Sequence, residues 1–133
     1  MINKGIWIDK EKAHIVTISE EKTDMITLLA EELLEQPSVL EKPGGAQEII
    51  KDRRVLEREK HRVNSFIKSI IPKIENANNI LVLGPSMMGQ QFSKALEKDY
   101  PILGKRIKEV VKAEKMTDNQ LKALVKNYNW PVG

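Results

Sequence analysis

Ile80-Leu81-Val82-Leu83-Gly84-Pro85-Ser86 sets the architecture of this 133-residue chain. Four apolar residues without polar alternation describe a strand covered on both sides. The Gly-Pro-Ser that follows is a turn from which a helix can start, with Ser86 as its N-cap. Upstream, from Gln47 to about Ala77, Leu56, Val63, Ile67, Ile70 and Ile74 recur at helical spacing, and Val55, Phe66 and Ile71 widen their stripe. The other side of that helix carries Lys51, Arg53, Arg54, Arg58, Lys60, Arg62 and Lys68. Downstream, the helix entered at Ser86 runs to about Asp99, with Phe92 and Leu96 on its inner side. Tyr100-Pro101 stops it. The core is therefore helix, buried strand, helix.

The flanks add strands. Gly5-Ile6-Trp7-Ile8 and His14-Ile15-Val16-Thr17-Ile18 are apolar, β-branched runs separated by polar turn residues, which is the pattern of a hairpin. Trp7 belongs to the core. Met25 to Leu29 extends the meander, with a strand expected to about residue 31. Residues 36–46 hold two prolines and two glycines and predict a mobile surface loop, the least ordered internal segment. Ile107–Glu114 fits a helical stripe as well as a short strand. Thr117-Asp118-Asn119-Gln120 has the spacing of a capping box, and Leu121, Leu124, Val125 and Tyr128 form the apolar side of a last helix. The order predicts an α/β domain over residues 1–133 with one mixed sheet, Ile80–Leu83 central and Gly5–Leu29 an antiparallel meander beside it.

Composition narrows the chemistry. The chain has no cysteine, which removes disulfides, thiol catalysis and thiolate metal sites. His14 and His61 are the only histidines and lie far apart, so a histidine metal cluster lacks material; no metal and no cofactor is expected. No signal-peptide pattern opens the sequence and no apolar run approaches the ~20 residues of a membrane span, so a cytoplasmic location is the simplest expectation. No sequence feature fixes an oligomeric state. Residues 1–48 carry five lysines against ten acidic residues, net −5, whereas residues 49–133 carry 17 basic and nine acidic residues, net +8. This asymmetry permits an anionic partner on the later half, although solvated helix faces are often basic too.

Four stretches carry possible chemistry. Gly84 to Gly89 has the glycine spacing of a phosphate-binding loop between strand and helix. It then offers Gln90 and Gln91 where a cation and a hydroxyl are required, and Pro85 removes an amide from the cradle, so nucleotide hydrolysis is rejected. Weak anion binding at the helix N-terminus is a minor alternative. Asp9 ends the first strand, where ribonuclease H-type nucleases place a metal-binding carboxylate. Two-metal chemistry needs several converging acids, and only Glu31 and Glu32 are candidates, so a turn aspartate is the preferred reading. Met87 and Met88 are read as packing, and a serine triad finds neither elbow nor base. Gly44-Gly45-Ala46-Gln47, just before the basic helix, is the most suggestive: glycines let a backbone approach RNA closely, and the Gln47 amide can orient a water.

Taken in order, these elements resemble the middle domain of archaeal and eukaryotic class-1 peptide-chain release factors and their ribosome-rescue relatives. More closely, they resemble the small stand-alone bacterial and archaeal proteins of that superfamily, some labelled "host attachment protein". The resemblance runs from Gly5 to about Tyr128. It rests on Gly5 to Val16, Leu56-Glu57-Arg58-Glu59-Lys60, Ile80 to Pro85 and Ala113 to Gln120. It implies a ribonuclease H-like mixed five-stranded sheet, an antiparallel three-strand meander plus two parallel strands with helices on its faces, and it favours a strand over 108–114. It also implies a Gly-Gly-Gln loop that enters the peptidyl transferase centre and positions the hydrolytic water. Here Ala46 intervenes, moving Gln47 by up to ~3.5 Å along an extended chain, where ~1 Å can reduce a rate ~100-fold. The separate domains that read a stop codon are absent from this sequence. The leading expectation is a release-factor-like domain that associates with ribosome or tRNA, with Lys51, Arg54, Arg58 and Arg62 on phosphates and Gly44 and Gly45 in the probing loop. The alternatives are a small esterase acting on peptidyl-tRNA through Gln47, and a protein–protein adaptor.

Overall fold

Two polar turns fold the first thirty residues back and forth. β1 (Ile2–Ile8), β2 (Lys12–Ser19) and β3 (Lys22–Leu29) form the expected antiparallel meander. At the first turn the Asp9 carboxylate accepts hydrogen bonds from the amides of Glu11 and Lys12, both at 2.8 Å, the local bonding that makes aspartate a turn residue. Asp9 is thus the turn aspartate. At the second turn Glu20 takes a left-handed φ of 53°. The computed structural model describes residues 1–20, 22–30 and 48–131, with the backbone alone over 48–60. The meander is followed by α1 (Glu48–Ile74), β4 (Asn79–Gly84), α2 (Met88–Asp99), a short turn α3 (Pro101–Gly104), β5 (Ile107–Lys112) and α4 (Asp118–Lys126).

The sheet order is β3-β2-β1-β4-β5, with β4 parallel to both β1 and β5. The mixed five-stranded sheet with helices on its faces is present as expected. β4 is flanked on both edges, but the middle strand is β1, because the meander adds two strands on one side and β5 only one on the other. Ile80 to Leu83 are fully buried, as their unbroken apolar run requires. The ambiguous segment after α3 is a strand: β4 has an outer edge whose backbone groups need a partner, and Val110 and Val111 lie on opposite faces of it.

Each face of the sheet has its own core. On one, Ile6, Ile8, Ile15, Ile80 and Val82 meet Phe66, Ile70 and Ile74 of α1 and Phe92 and Leu96 of α2. Successive right-handed crossovers stepping the same way across a sheet put both helices on that side. On the other, Trp7, Val16, Leu81 and Leu83 lie beneath Leu121 and Val125 of α4. Trp7 is buried and donates its indole N–H to the Ala113 carbonyl at 3.1 Å, so its polar tip is satisfied. The α4 capping box is complete: Thr117 Oγ1 accepts from the Gln120 amide, and Gln120 Oε1 accepts from the Thr117 amide.

Some boundaries and roles differ from the sequence reading. α1 stops at Ile74, three residues early, and Ala77 closes a turn onto the Ile74 carbonyl. β3 ends at Leu29 rather than 31, and the Ala30 amide bonds the Glu11 carbonyl instead. Ser86 is no N-cap: it sits at φ 54°, α2 begins at Met88, and Met87 ahead of it makes no side-chain cap bond. Met87 is 54% exposed while Met88 is buried, so only one of the pair packs. Leu124 lies at the exposed margin of the α4 stripe.

Two glycines permit the close approaches. A Cβ on Gly5 would collide with the Val125 side chain, and one on Gly84 would lie 2.5 Å from the Ile8 carbonyl oxygen. Overpacking of this kind costs about 1–3 kcal/mol, so Gly5→Ala should lower stability by that amount in urea unfolding and hasten amide exchange in α4 more than in α1. Because the clash is with one side chain, the loss in Gly5→Ala/Val125→Ala should fall short of the sum of the single losses. Strict additivity would contradict this packing.

Candidate nucleic-acid interface

α1 is the longest element, 27 residues, or about 40 Å at 1.5 Å per residue. Its C-terminal half is set by packing: Phe66, Ile67, Ile70, Ile71 and Ile74 are buried and Val63 is half-buried, at steps of three and four. On its other side Arg62, Lys68 and Lys73 are exposed. Lys51, Arg54, Arg58 and Arg62 all fall on α1. At four-residue steps, the helical backbone puts 54, 58 and 62 on one ridge. Of that set only Arg62 has a described side chain. Gly44, Gly45 and Gln47 lie outside the described residues, as does the whole 36–46 segment. In sequence, Gln47 directly precedes the first residue of α1.

The other end of α1 is tied down by groups the sequence reading passed over. Lys4, on β1 and 8% exposed, donates from Nζ to the Lys73 carbonyl at 2.7 Å. Burial pushes its ammonium below the ordinary lysine range. Arg106, between α3 and β5, donates to the carbonyls of Glu75 at 3.1 Å and Ala77 at 3.0 Å. The Asn78 amide bonds the Ile2 carbonyl, and Asn78 Oδ1 accepts from the Ile2 amide, both at 2.7 Å. Period-two alternation with Ile6 and Ile8 would have placed Lys4 on a buried face.

His14 is half-buried, its ring 5.8 Å from that of Trp7 and its Nδ1 2.8 Å from Thr27 Oγ1. Burial lowers its pKa first of all, with Lys12 and Lys115 acting the same way and Asp118 and Asp9 opposing. Among the described residues no three His, Asp or Glu side chains converge on a metal position. The Gly84–Gly89 turn is followed in α2 by Gln90 and Gln91. Among the described residues no helix is long and apolar enough to cross a membrane.

The antiparallel meander extended by two parallel strands, with a long helix ahead of β4, defines a release-factor-like domain fold. Pelota of Archaeoglobus fulgidus shares it at TM-score 0.60 and 14% identity, over 96% of this chain and 31% of that one. An archaeal translation termination factor matches at TM-score 0.51 and 17% identity, over 96% of this chain and 35% of that one. Dom34 of S. cerevisiae, a translation termination-like factor involved in RNA quality control pathways and interacting with Hbs1, matches at TM-score 0.53 and 9% identity, over 95% and 33%. The chain spans about a third of the length of these proteins. No protein-family profile matches this chain, and no curated protein matches it.

His14 gives a pH dependence with a fixed sign. Its folded pKa lies below the ordinary value of 6.5, so the unfolded chain takes up that proton first as the medium is acidified. The stability linked to His14 is therefore fully present above the unfolded pKa and lost as pH falls through it toward the folded value. Urea unfolding of the wild type and His14→Asn at pH 7 and pH 5 should show a smaller acid loss in the variant. Equal losses would contradict the burial of this ring.

Proposed function

We propose that this chain is a release-factor-like protein that associates with ribosomal particles or tRNA through the basic ridge of α1. The observation that supports this most is the extent of the fold match, 96% of the chain against one segment of a longer Pelota. On this reading, residues 1–133 form one domain of the stand-alone kind within that superfamily, including the "host attachment protein" relatives, and work in the cytoplasm. Lys51, Arg54, Arg58 and Arg62 contact phosphates, while Gly44 and Gly45 belong to a probing loop ahead of the helix. Gln47 stands one residue out of the Gly-Gly-Gln spacing, so binding rather than hydrolysis is proposed.

Phosphate contacts release counterions, and affinity then falls steeply with salt. Purified protein should co-sediment with ribosomal particles at low salt and leave them as salt rises. Arg54→Gln/Arg58→Gln/Arg62→Gln should keep the fold, bind more weakly at low salt, and flatten the log–log salt slope by about one unit for each phosphate no longer neutralised. An unchanged affinity and slope would remove the ridge from the mechanism. A large drop in Tm would assign the arginines to packing instead.

A further inference from the structure

Resting on that reading of α1, we infer that Lys4 and Arg106 are positioning residues: they form a two-cation socket that fixes the direction of the helix. The carbonyls at the C-terminal end of a helix lack intrahelical partners and carry partial negative charge. Here Lys4 takes the Lys73 carbonyl from β1, Arg106 takes those of Glu75 and Ala77 from the far side of β4, and the Ala77 amide takes that of Ile74. Lys4 thus holds the last turn of α1 and Arg106 the turn that directly follows it, from the two sides of β4 in the sheet. Asn78 stitches the next residues to Ile2 through two 2.7 Å bonds.

The apolar stripe alone does not supply that direction. Hydrophobic burial is non-directional, whereas the bonds at the C-terminal end of α1 and the turn after it are made to particular carbonyls. Hydrogen bonds to named carbonyls fix the end of the rod in angle as well as place. The leverage is large: with about 40 Å of helix, a tilt of about 10° at the socket moves the N-terminal end by about 7 Å. That end carries Glu48, so the course of the α1 backbone there depends on a contact at the opposite end.

The presence of a lysine on that face is itself informative. Ile6 and Ile8, the following residues on the same side of β1, are fully buried, and an apolar residue at position 4 would avoid the desolvation that lowers the lysine pKa. Buried ionic groups are often no more stabilising than hydrophobic replacements, and specifying one geometry is a role they can hold. Lys4 has such a geometry, a single carbonyl at 2.7 Å.

The absence of native cysteine allows a clean test. Spin labels on Glu48→Cys and Lys98→Cys, the latter at the exposed end of α2, report the direction of α1 by pulsed electron resonance without any RNA present. Arg106→Gln and, separately, Lys4→Met should shift or broaden the distance distribution by about 5 Å or more, while circular dichroism stays that of the folded protein. Arg106→Lys, which keeps a donor and its charge at those carbonyls, should restore most of the original distribution. An unchanged distribution in the folded variants overturns the inference; if Lys4→Met does not fold, Arg106→Gln decides alone. Salt-series sedimentation of the same variants separates the socket from the proposed function. A socket-dependent distance with no ribosome binding would sink the proposed function and leave the socket standing.

Discussion

The pairing of β1 with β4 is the contact on which the rest of this structure depends. It is a parallel pair, Lys4 to Trp7 against Ile80 to Leu83, buried on both faces. The meander hangs on one edge of it and β5 on the other. Such a pair has no local turn to form it; it waits for α1 to bring residue 79 back beside residue 3. The join is made with small residues and amides. Gly5 leaves room for Val125, Gly84 lies against the Ile8 carbonyl, and Asn79 donates to Asn3 Oδ1 at 2.9 Å.

From that pair the two faces take different work. One receives α1 and α2 in a continuous core of isoleucines and Phe66 and Phe92. The other is closed by a single nine-residue helix and the tail behind it. There the aromatic groups make specific bonds: Trp130 donates its indole N–H to the Val125 carbonyl at 2.9 Å, and Tyr128 gives its hydroxyl proton to Glu109 at 2.7 Å. Helix α4 therefore holds its place by contacts that single substitutions can loosen. Helix α1 is held by a larger core and by polar bonds at one end. This asymmetry leaves one face for packing the long basic helix.

How much of this the sequence disclosed follows from which patterns are local. The strand at Ile80–Leu83, the Asp9 turn and the Thr117 capping box were legible because each is written in consecutive residues. The Ile107–Lys112 strand was not legible from its own residues, since its half-buried pattern suits helix and strand alike; the family resemblance favoured a strand there, and the open edge of β4 is the physical reason for it. Ser86 looked like an N-cap by type and position, but the chain turns there with a left-handed residue and starts the helix two residues later. The four-residue spacing of Arg54, Arg58 and Arg62 predicts a ridge, of which only Arg62 has a described side chain. The contacts of Lys4 and Arg106 were not legible, because these residues are 102 positions apart in sequence, meet the last turn of α1 and the turn after it only in the fold, and act on carbonyls that carry no sequence signature.

If α1 is the binding element, its N-terminal end faces RNA in the bound state, and that orientation can be measured directly. Tethered iron–EDTA on a single introduced cysteine generates hydroxyl radicals that cut nearby nucleotides. Placed by Glu48→Cys on protein bound to ribosomal particles, it should produce discrete cuts in ribosomal RNA or bound tRNA. The same probe placed by Lys98→Cys, in the last turn of α2, should produce few. Equal cutting from both positions, or none from position 48 in a complex shown to be bound, would contradict the proposed orientation and the ridge as the interface.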